Sequence, residues 1–338
     1  MRVVRRRSLA VAGLSVVLAL FVVSVAAVLP FATAAQAQDY PSKPVKIIVP
    51  YPPAGTTDIL ARLLAAKLTV RLKQQFIVEN KPGAGGNLGN EVVAHAAPDG
   101  HTLVMSTAGN MTINPATYTN MPVDVLKDFA PITMVAQVSN VLAVHPSVPA
   151  KNVTEFIDWV KSRPKQVFFA TSSPANTPHM SGELFNLAAG TDMTPVHYKG
   201  SGPALQDLVA GQGVQAMFDN MPSVLPLIQS GALRGLAVTA AKRSPTMPDL
   251  PTIEESGLKG YAVVSWFGVF APAKTPAAIV EKLYQEIVSS MSDPETTKKL
   301  VELGTEPVLN TSEEFGKRVA SEIEVWRAVA KKANIRIE

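Results

Sequence analysis

The residues best suited to chemistry in this sequence lie in loops that carry almost no charge. PYPPAGTTD (50–58) has one ionisable group, Asp58. Five more stretches share its character: NKPGAGGNLGN (80–90), STAGNMTINP (106–115), TSSPANTPHMSG (171–182), KGSGP (199–203) and DNMPS (219–223). Across all six the charged groups are Asp58, Lys81, Lys199 and Asp219. Glycine lets a ligand approach the main chain, and Ser/Thr hydroxyls add donors. Most of these loops run into a helix-like segment, and a helix N-terminus presents unpaired N–H groups and roughly half a positive charge. Several such ends converging would hold an anion without lysine or arginine. Pro52 and Pro53 fix φ and lower the ordering cost on binding. Asp58 has two readings: a first-turn acid or cap that complements the helix dipole, or an acceptor for ligand or loop.

Other chemistries find less support. The histidines are His95, His101, His145, His179 and His197, and none forms HExxH or an i,i+4 ligand pair. Cysteine is absent, which removes disulfides, thiolate zinc sites and cysteine nucleophiles. There is no GxSxG elbow. A dispersed triad such as Ser172, His179 and Asp58 stays open, because triads are defined by geometry and not by order. GAGGNLG (83–89) fails the dinucleotide fingerprint, since the sixth position from Gly83 is Leu88. No GxxxxGK[ST] is present. Trp266, in VVSWFGVF, reads equally as core or as cleft wall.

The elements that must position these loops alternate between strand and helix. Strands are expected at 45–51, 76–80, 102–107, 141–145, 167–171, 195–200, 214–219, 234–240 and 263–272. Helices are expected at 58–72, 88–97, 153–162, 179–189, 203–210, 276–291, 294–303 and 312–333, with a short extended segment at 305–309. In 58–72, Ile59, Leu63, Ala66 and Val70 form one stripe. Repeated βα units imply mainly parallel sheets covered by helices, with ligands beyond the carboxyl ends of the strands.

The chain has 338 residues, too many for one ordinary core, which suits two domains. Its start is basic (MRVVRRR), then apolar (9–29), then small, with Ala35-Gln36-Ala37 fitting a cleavage site. That order is a secretory signal peptide over residues 1–37, with a retained membrane anchor as the alternative. Arg5-Arg6-Arg7 followed by Ser8-Leu9 fits ordinary or twin-arginine export. Residues 1–37 hold four arginines and no acid, so the remainder carries 27 basic and 27 acidic side chains. Such a neutral chain gives no support for nucleic acid or anionic membrane as partner.

YPSKPVKIIVPYPPAGTTDILAR, VENKPGAGGNLGNEVVAHAAPDGHTLVM, VHYKGSGPALQDLVAGQ, MFDNMPS and WFGVFAPAKTPAAIVEKL together resemble the Bug family. These are extracytoplasmic solute receptors of tripartite tricarboxylate transporters, and the resemblance runs from about Tyr40 to the C-terminus. It implies an α/β, type II periplasmic-binding-protein fold whose two lobes are joined by hinge strands. One lobe would be 39–140 with 263–338 and the other 141–262, with crossings at VLAVH and VVSWFGVF. The implied ligand is a small organic acid, commonly a dicarboxylate, and the implied partners are transporter membrane subunits. No cofactor, metal or catalysis is implied. A monomer in the periplasm is expected; sensing for a signalling partner, or hydrolysis, are the alternatives.

The candidate ligand-binding residues follow the loops. Tyr51, Ala54, Gly55, Thr57 and Asp58 come from the first, where Ala54 replaces a glycine usual in the family and would add a methyl to the pocket wall. Gly85, Gly86 and Asn87 come from the second, Ser106 and Asn110 from the third. Ser172, Asn176, Thr177 and His179 form the variable determinant, and Gly200 and Asp219 complete the set.

Overall fold

A computed structural model describes residues 40–333 and 335–338, of which 43–338 belong to one compact unit. The signal-peptide reading lies outside the described residues. The chain starts with three βα steps. Strand β1 (Val45–Val49) leads into helix α1 (Thr56–Leu72), β2 (Phe76–Asn80) into α2 (Asn87–Ala94), and β3 (Thr102–Thr107) into a π-helical turn at Gly109–Ile113. β4 (Phe129–Val144) is 16 residues long. Four more steps follow. They are α3 (Val153–Lys161) to β5 (Phe168–Thr171), α4 (Thr177–Ala189) to β6 (Thr194–His197), α5 (Ser201–Ala210) to β7 (Ala216–Asn220), and α6 (Met221–Gln229) to β8 (Arg234–Val238). β9 (Val264–Pro272), α7 (Ala277–Met291), α8 (Pro294–Glu302), β10 (Thr305–Pro307) and α9 (Ser312–Ala333) end the chain.

The strand order is β2-β1-β3-β9-β4-β7-β5-β6, with β10 and β8 also on β4. β1 pairs parallel with β2 and β3, and β5 parallel with β6 and β7, as βα units require. The long strands β4 and β9 run antiparallel to their neighbours. β4 is shared between two halves. Up to Ser139, paired with Val264, it lies on β9; from Asn140, paired with Asn220, it lies on β7 and β8. A separate apolar core sits on each side of that switch. Ile48, Val104, Met134, Trp266, Phe270 and Phe315 belong to one. Leu142, Phe156, Phe169, Phe185 and Phe218 belong to the other. This is the two-lobed α/β fold expected.

Asn140 anchors the switch. It is buried, its amide donates to Ser181 Oγ (3.0 Å), and its Oδ1 accepts from Ser265 Oγ (3.2 Å). Its main-chain N–H donates to Thr239 Oγ1, and that hydroxyl donates to the Val263 carbonyl. Both strand crossings are thereby tied together.

Three expectations need correction. β4 begins at Phe129, not at 141, because its first half carries Pro131, Gln137 and Ser139 and lacks a continuous apolar run. Met221–Gln229 is a helix despite two prolines: Pro222 sits in the first turn, where the missing N–H has no intrahelical partner, while Pro226 lies inside the helix and removes one i→i−4 bond. In α1 the core side is Leu60, Ala61, Leu64, Ala65 and Leu68, while Val70 is 78% exposed. Apolar residues lie all round this helix, so periodicity alone does not choose its buried face.

Candidate functional site

The loops after the strands meet in one cleft between the lobes. Its inner part is lined by Gly55, Thr56, Thr57 and Thr107 on one side and by Asn176, Thr177, Gly200, Ser201, Gly202 and Asn220 on the other. Ser265 and Phe267 of β9 complete it. The outer part runs between Pro82–Gly86 and Ser172–Pro174, with Lys199 at its edge. Tyr51, Pro52, Ser172 and Gly200 border both parts. Among the described residues, no charged side chain lines the inner part. The lobes touch across it: Thr56 Oγ1 and Ser223 Oγ are 2.9 Å apart.

Three helices begin at the inner part of this cleft without a side-chain cap: α1, α5 and α6, the last with Asn220 as N-cap and Pro222, which has no N–H, in its first turn. α1 has Gly55 as N-cap, with no side-chain cap bond, so the Thr56 and Thr57 amides are unpaired. α5 has Gly200 as N-cap, also without one. The Gly200 N–H is spent on the Ser172 carbonyl (2.8 Å), and Pro203 has none, which leaves Ser201 and Gly202 as donors. α4 differs: Asn176 Oδ1 accepts the His179 N–H at 2.9 Å and caps it. Each uncapped end carries the partial positive charge that favours an anion.

The candidate residues divide between those that reach the cleft and those that build its walls. Tyr51, Gly55, Thr57, Gly85, Gly86, Ser172, Asn176, Thr177 and Gly200 line it. Seven do not. Asp58 is buried and accepts from the Ala54 N–H (3.1 Å), Arg62 Nε (2.9 Å) and Asn80 Nδ2 (3.0 Å). Burial alone would raise its pKa, but these bonds outweigh it and hold the carboxyl below its ordinary value. It is a clamp on the 50–58 loop, and it shares no bond with His179. His179 Nδ1 instead accepts the Ala175 N–H, so the triad Ser172–His179–Asp58 is not assembled. Asn110 Nδ2 donates to the Gly85 carbonyl (2.7 Å), and Asn114 Nδ2 bridges to the same carbonyl (3.3 Å) and to Asn87 Oδ1 (2.6 Å). Ser106 Oγ bonds Asn90 in the core. Asp219 is buried beneath α5, where its Oδ1 accepts from Ser201 Oγ (3.1 Å).

The second loop is glycine-rich for a reason that differs from ligand approach. The Gly86 N–H donates to the Gly83 carbonyl (2.8 Å) and is not free for a ligand. Gly86 has φ +94°, and a Cβ there would stand 2.1 Å from Asn110 Nδ2; at Gly85 (φ +63°) it would stand 2.3 Å from the Tyr118 hydroxyl. Tyr51 packs nearby with its hydroxyl 3.1 Å from Thr107 Oγ1. Burial pushes this phenol up to about 12, the Thr107 and Asn110 bonds opposing, so it stays neutral.

Ala54 is exposed, lines neither part of the cleft and sits at φ +70°. Its methyl therefore does not narrow the pocket. Left-handed backbone costs a non-glycine residue roughly 1 kcal/mol, partly offset by the freer unfolded chain of glycine. Ala54→Gly is expected to leave ligand affinity unchanged and to raise stability by at most about 1 kcal/mol in a urea titration.

Sequence reasoning named the loops of Thr56, Thr107, Ser201, Gly202 and Asn220 without selecting these residues, and missed Ser265 and Phe267 altogether. Strand alternation could have found them: Trp266 is fully buried in the core, with Nε1 on Glu322 (2.7 Å), so its neighbours on the strand face the other way.

A two-lobed α/β fold with an interlobe cleft walled by main chain and hydroxyls is that of a type II periplasmic binding protein. Residues 60–335 match the family described as "Tripartite tricarboxylate transporter family receptor", and the chain belongs to that family. It is 35% identical to "Protein BugT" of Bordetella pertussis over 89% of this chain and 93% of the relative. Among solved structures it resembles "R. palustris Rpa4515 with adipate" (40% identity, TM-score 0.86, 88% of this chain and 99% of that one). It also resembles "MatC (Rpa3494) from Rhodopseudomonas palustris with bound malate" (33% identity, TM-score 0.81, 86% and 99%).

Proposed function

We propose that this protein captures a dicarboxylate between its lobes and delivers it to the membrane subunits of a tripartite tricarboxylate transporter. The observation that carries this reading is the pair of uncapped helix starts, α1 and α5, on opposite sides of one cleft whose inner lining holds no charged side chain. One carboxylate is held by the Thr56 and Thr57 amides, the other by those of Ser201 and Gly202. The lobe holding α1 is 39–140 with 263–338, and the lobe holding α5 is 141–262. Relatives with bound adipate and malate support the ligand class. The family supports a receptor and not an enzyme, and the signal-type start supports export to the periplasm.

A thermal-shift screen of the mature chain with succinate, glutarate and adipate, against butyrate as monocarboxylate, tests this. Ligand at 100-fold excess over Kd adds about 2.7 kcal/mol of stability. For a chain of this length that is a shift of roughly 4 °C. The dicarboxylates should shift melting and butyrate should not, and the bound ligand should be recovered chemically unchanged. Equal shifts with butyrate, or none with any dicarboxylate, would overturn the reading.

A further inference from the structure

We infer that a proton on Asp219 switches the Ser201 hydroxyl from an internal donor to a ligand donor, and that dicarboxylate capture takes up this proton. The inference rests on the reading above, in which a ligand carboxylate sits at the start of α5. Asp219 is the penultimate residue of β7, under the first turn of that helix, and is fully buried. Its Oδ1 is bonded to Ser201 Oγ, while its Oδ2 has no partner. The adjoining Asn220 lines the cleft, and its Oδ1 is also buried without a partner.

The chemistry of the pair has two states. An ionised carboxylate only accepts, so Ser201 must give its proton to Asp219 and turn lone pairs toward the cleft. A ligand carboxylate would meet those lone pairs with its own. A carboxylic acid donates: a proton carried on Oδ1 goes to Ser201 Oγ, and the serine O–H is released toward the ligand. The proton comes from solvent, and nothing is formed or broken except O–H bonds. The neutral acid thus adds one donor to the site and removes one negative charge. An anionic ligand must then raise the affinity of Asp219 for its proton, by linkage.

The surroundings suit such a switch. Burial pushes Asp219 up to about 7, opposed by the Asn220 N–H and the Ser201 hydroxyl, and no charged side chain adds to the shift. The titratable groups on elements packed against β7 are His179 and Glu183 of α4 and Asp207 of α5, with Tyr198 and Lys199 in the link to α5. β5, α6 and residues 140–144 of β4 carry none.

The test is titration calorimetry of the mature chain with adipate at pH 8 in two buffers of different ionisation enthalpy. Free carboxyls are ionised at that pH, so the ligand brings no proton. Wild-type binding should take up close to one proton, and affinity should fall roughly tenfold per pH unit above 7. In Asp219→Asn the amide donates to Ser201 permanently, so uptake should vanish and affinity should be flat from pH 6 to 9. Ser201→Ala keeps the acid but removes the relay, and should weaken binding most at pH 6. Adipate bound by the wild type without proton uptake, or with uptake retained in Asp219→Asn, would overturn the inference and leave the dicarboxylate reading standing. No heat with adipate, succinate or glutarate would remove both. If Asp219→Asn does not fold, the wild-type proton count and Ser201→Ala still decide.

Discussion

Gly202→Val is expected to weaken dicarboxylate binding by about a hundredfold or more while melting like the wild type. Gly202 lines the cleft at the second position of α5, its φ is ordinary, and a Cβ built on it meets nothing within 4 Å. A valine would therefore stand in the space where, on the proposed reading, a carboxylate reaches the Ser201 and Gly202 amides. Charge-assisted bonds are worth about 1.5–3 kcal/mol each, so losing two costs on the order of a hundredfold to ten-thousandfold in affinity. Gly55→Val should act alike from the facing helix, where again nothing lies within 4 Å of the Cβ. Gly86→Val is the contrast: its positive φ and the collision with Asn110 should lower stability first. Calorimetric titration with adipate and melting curves on all three separate the cases. Wild-type affinity in both Gly55→Val and Gly202→Val would remove the helix starts as the anion site.

Asn140→Leu is expected to cost about 2–4 kcal/mol of stability and to reduce affinity about tenfold or more. The stability loss comes from a buried network left half-satisfied, which is worse than no network. The affinity loss comes from where that network leads. Ser265 Oγ bonds both Asn140 and Thr177 Oγ1, and Ser265 and Thr177 line the cleft. The side chain at the strand crossing thereby fixes two hydroxyls of the cleft wall. A urea titration and calorimetry on one preparation measure both effects. Lowered stability with wild-type affinity would show that the network ends at the hinge.

How much of this was legible in sequence depends on what each residue does. All six strand-end loops contribute at least one lining residue, because parallel βα units bring those ends to one side. Within the loops, residue type alone did not separate liners from braces. Asn110, Asn87 and Asp58 look like ligand groups, yet their polar atoms are consumed in holding Gly85 and Ala54 in place. Only three-dimensional hydrogen-bond accounting shows that. Trp266 was ambiguous for the same reason: hydropathy fits either face of β9, and the packing of Phe315 against the indole decides it. Element positions were mostly readable from periodicity. β4 was not, since its first half is stabilised by β9 and β10 and not by its own pattern.

The uncapped starts of α1 and α5 have a consequence for the empty protein. They are like poles lining one cleft. With the lobes in contact and nothing between them, their partial charges repel, and the low-dielectric walls do little to soften it. On the proposed reading, closure over an empty or neutral filling is therefore uphill, and a dianion turns the same force into a clasp. Selection would then act through the closing motion as much as through any contact, because a solute without two negative ends leaves the jaws sprung open. The effect is short-ranged and weakens with salt, so the fraction of empty protein found shut should rise with ionic strength.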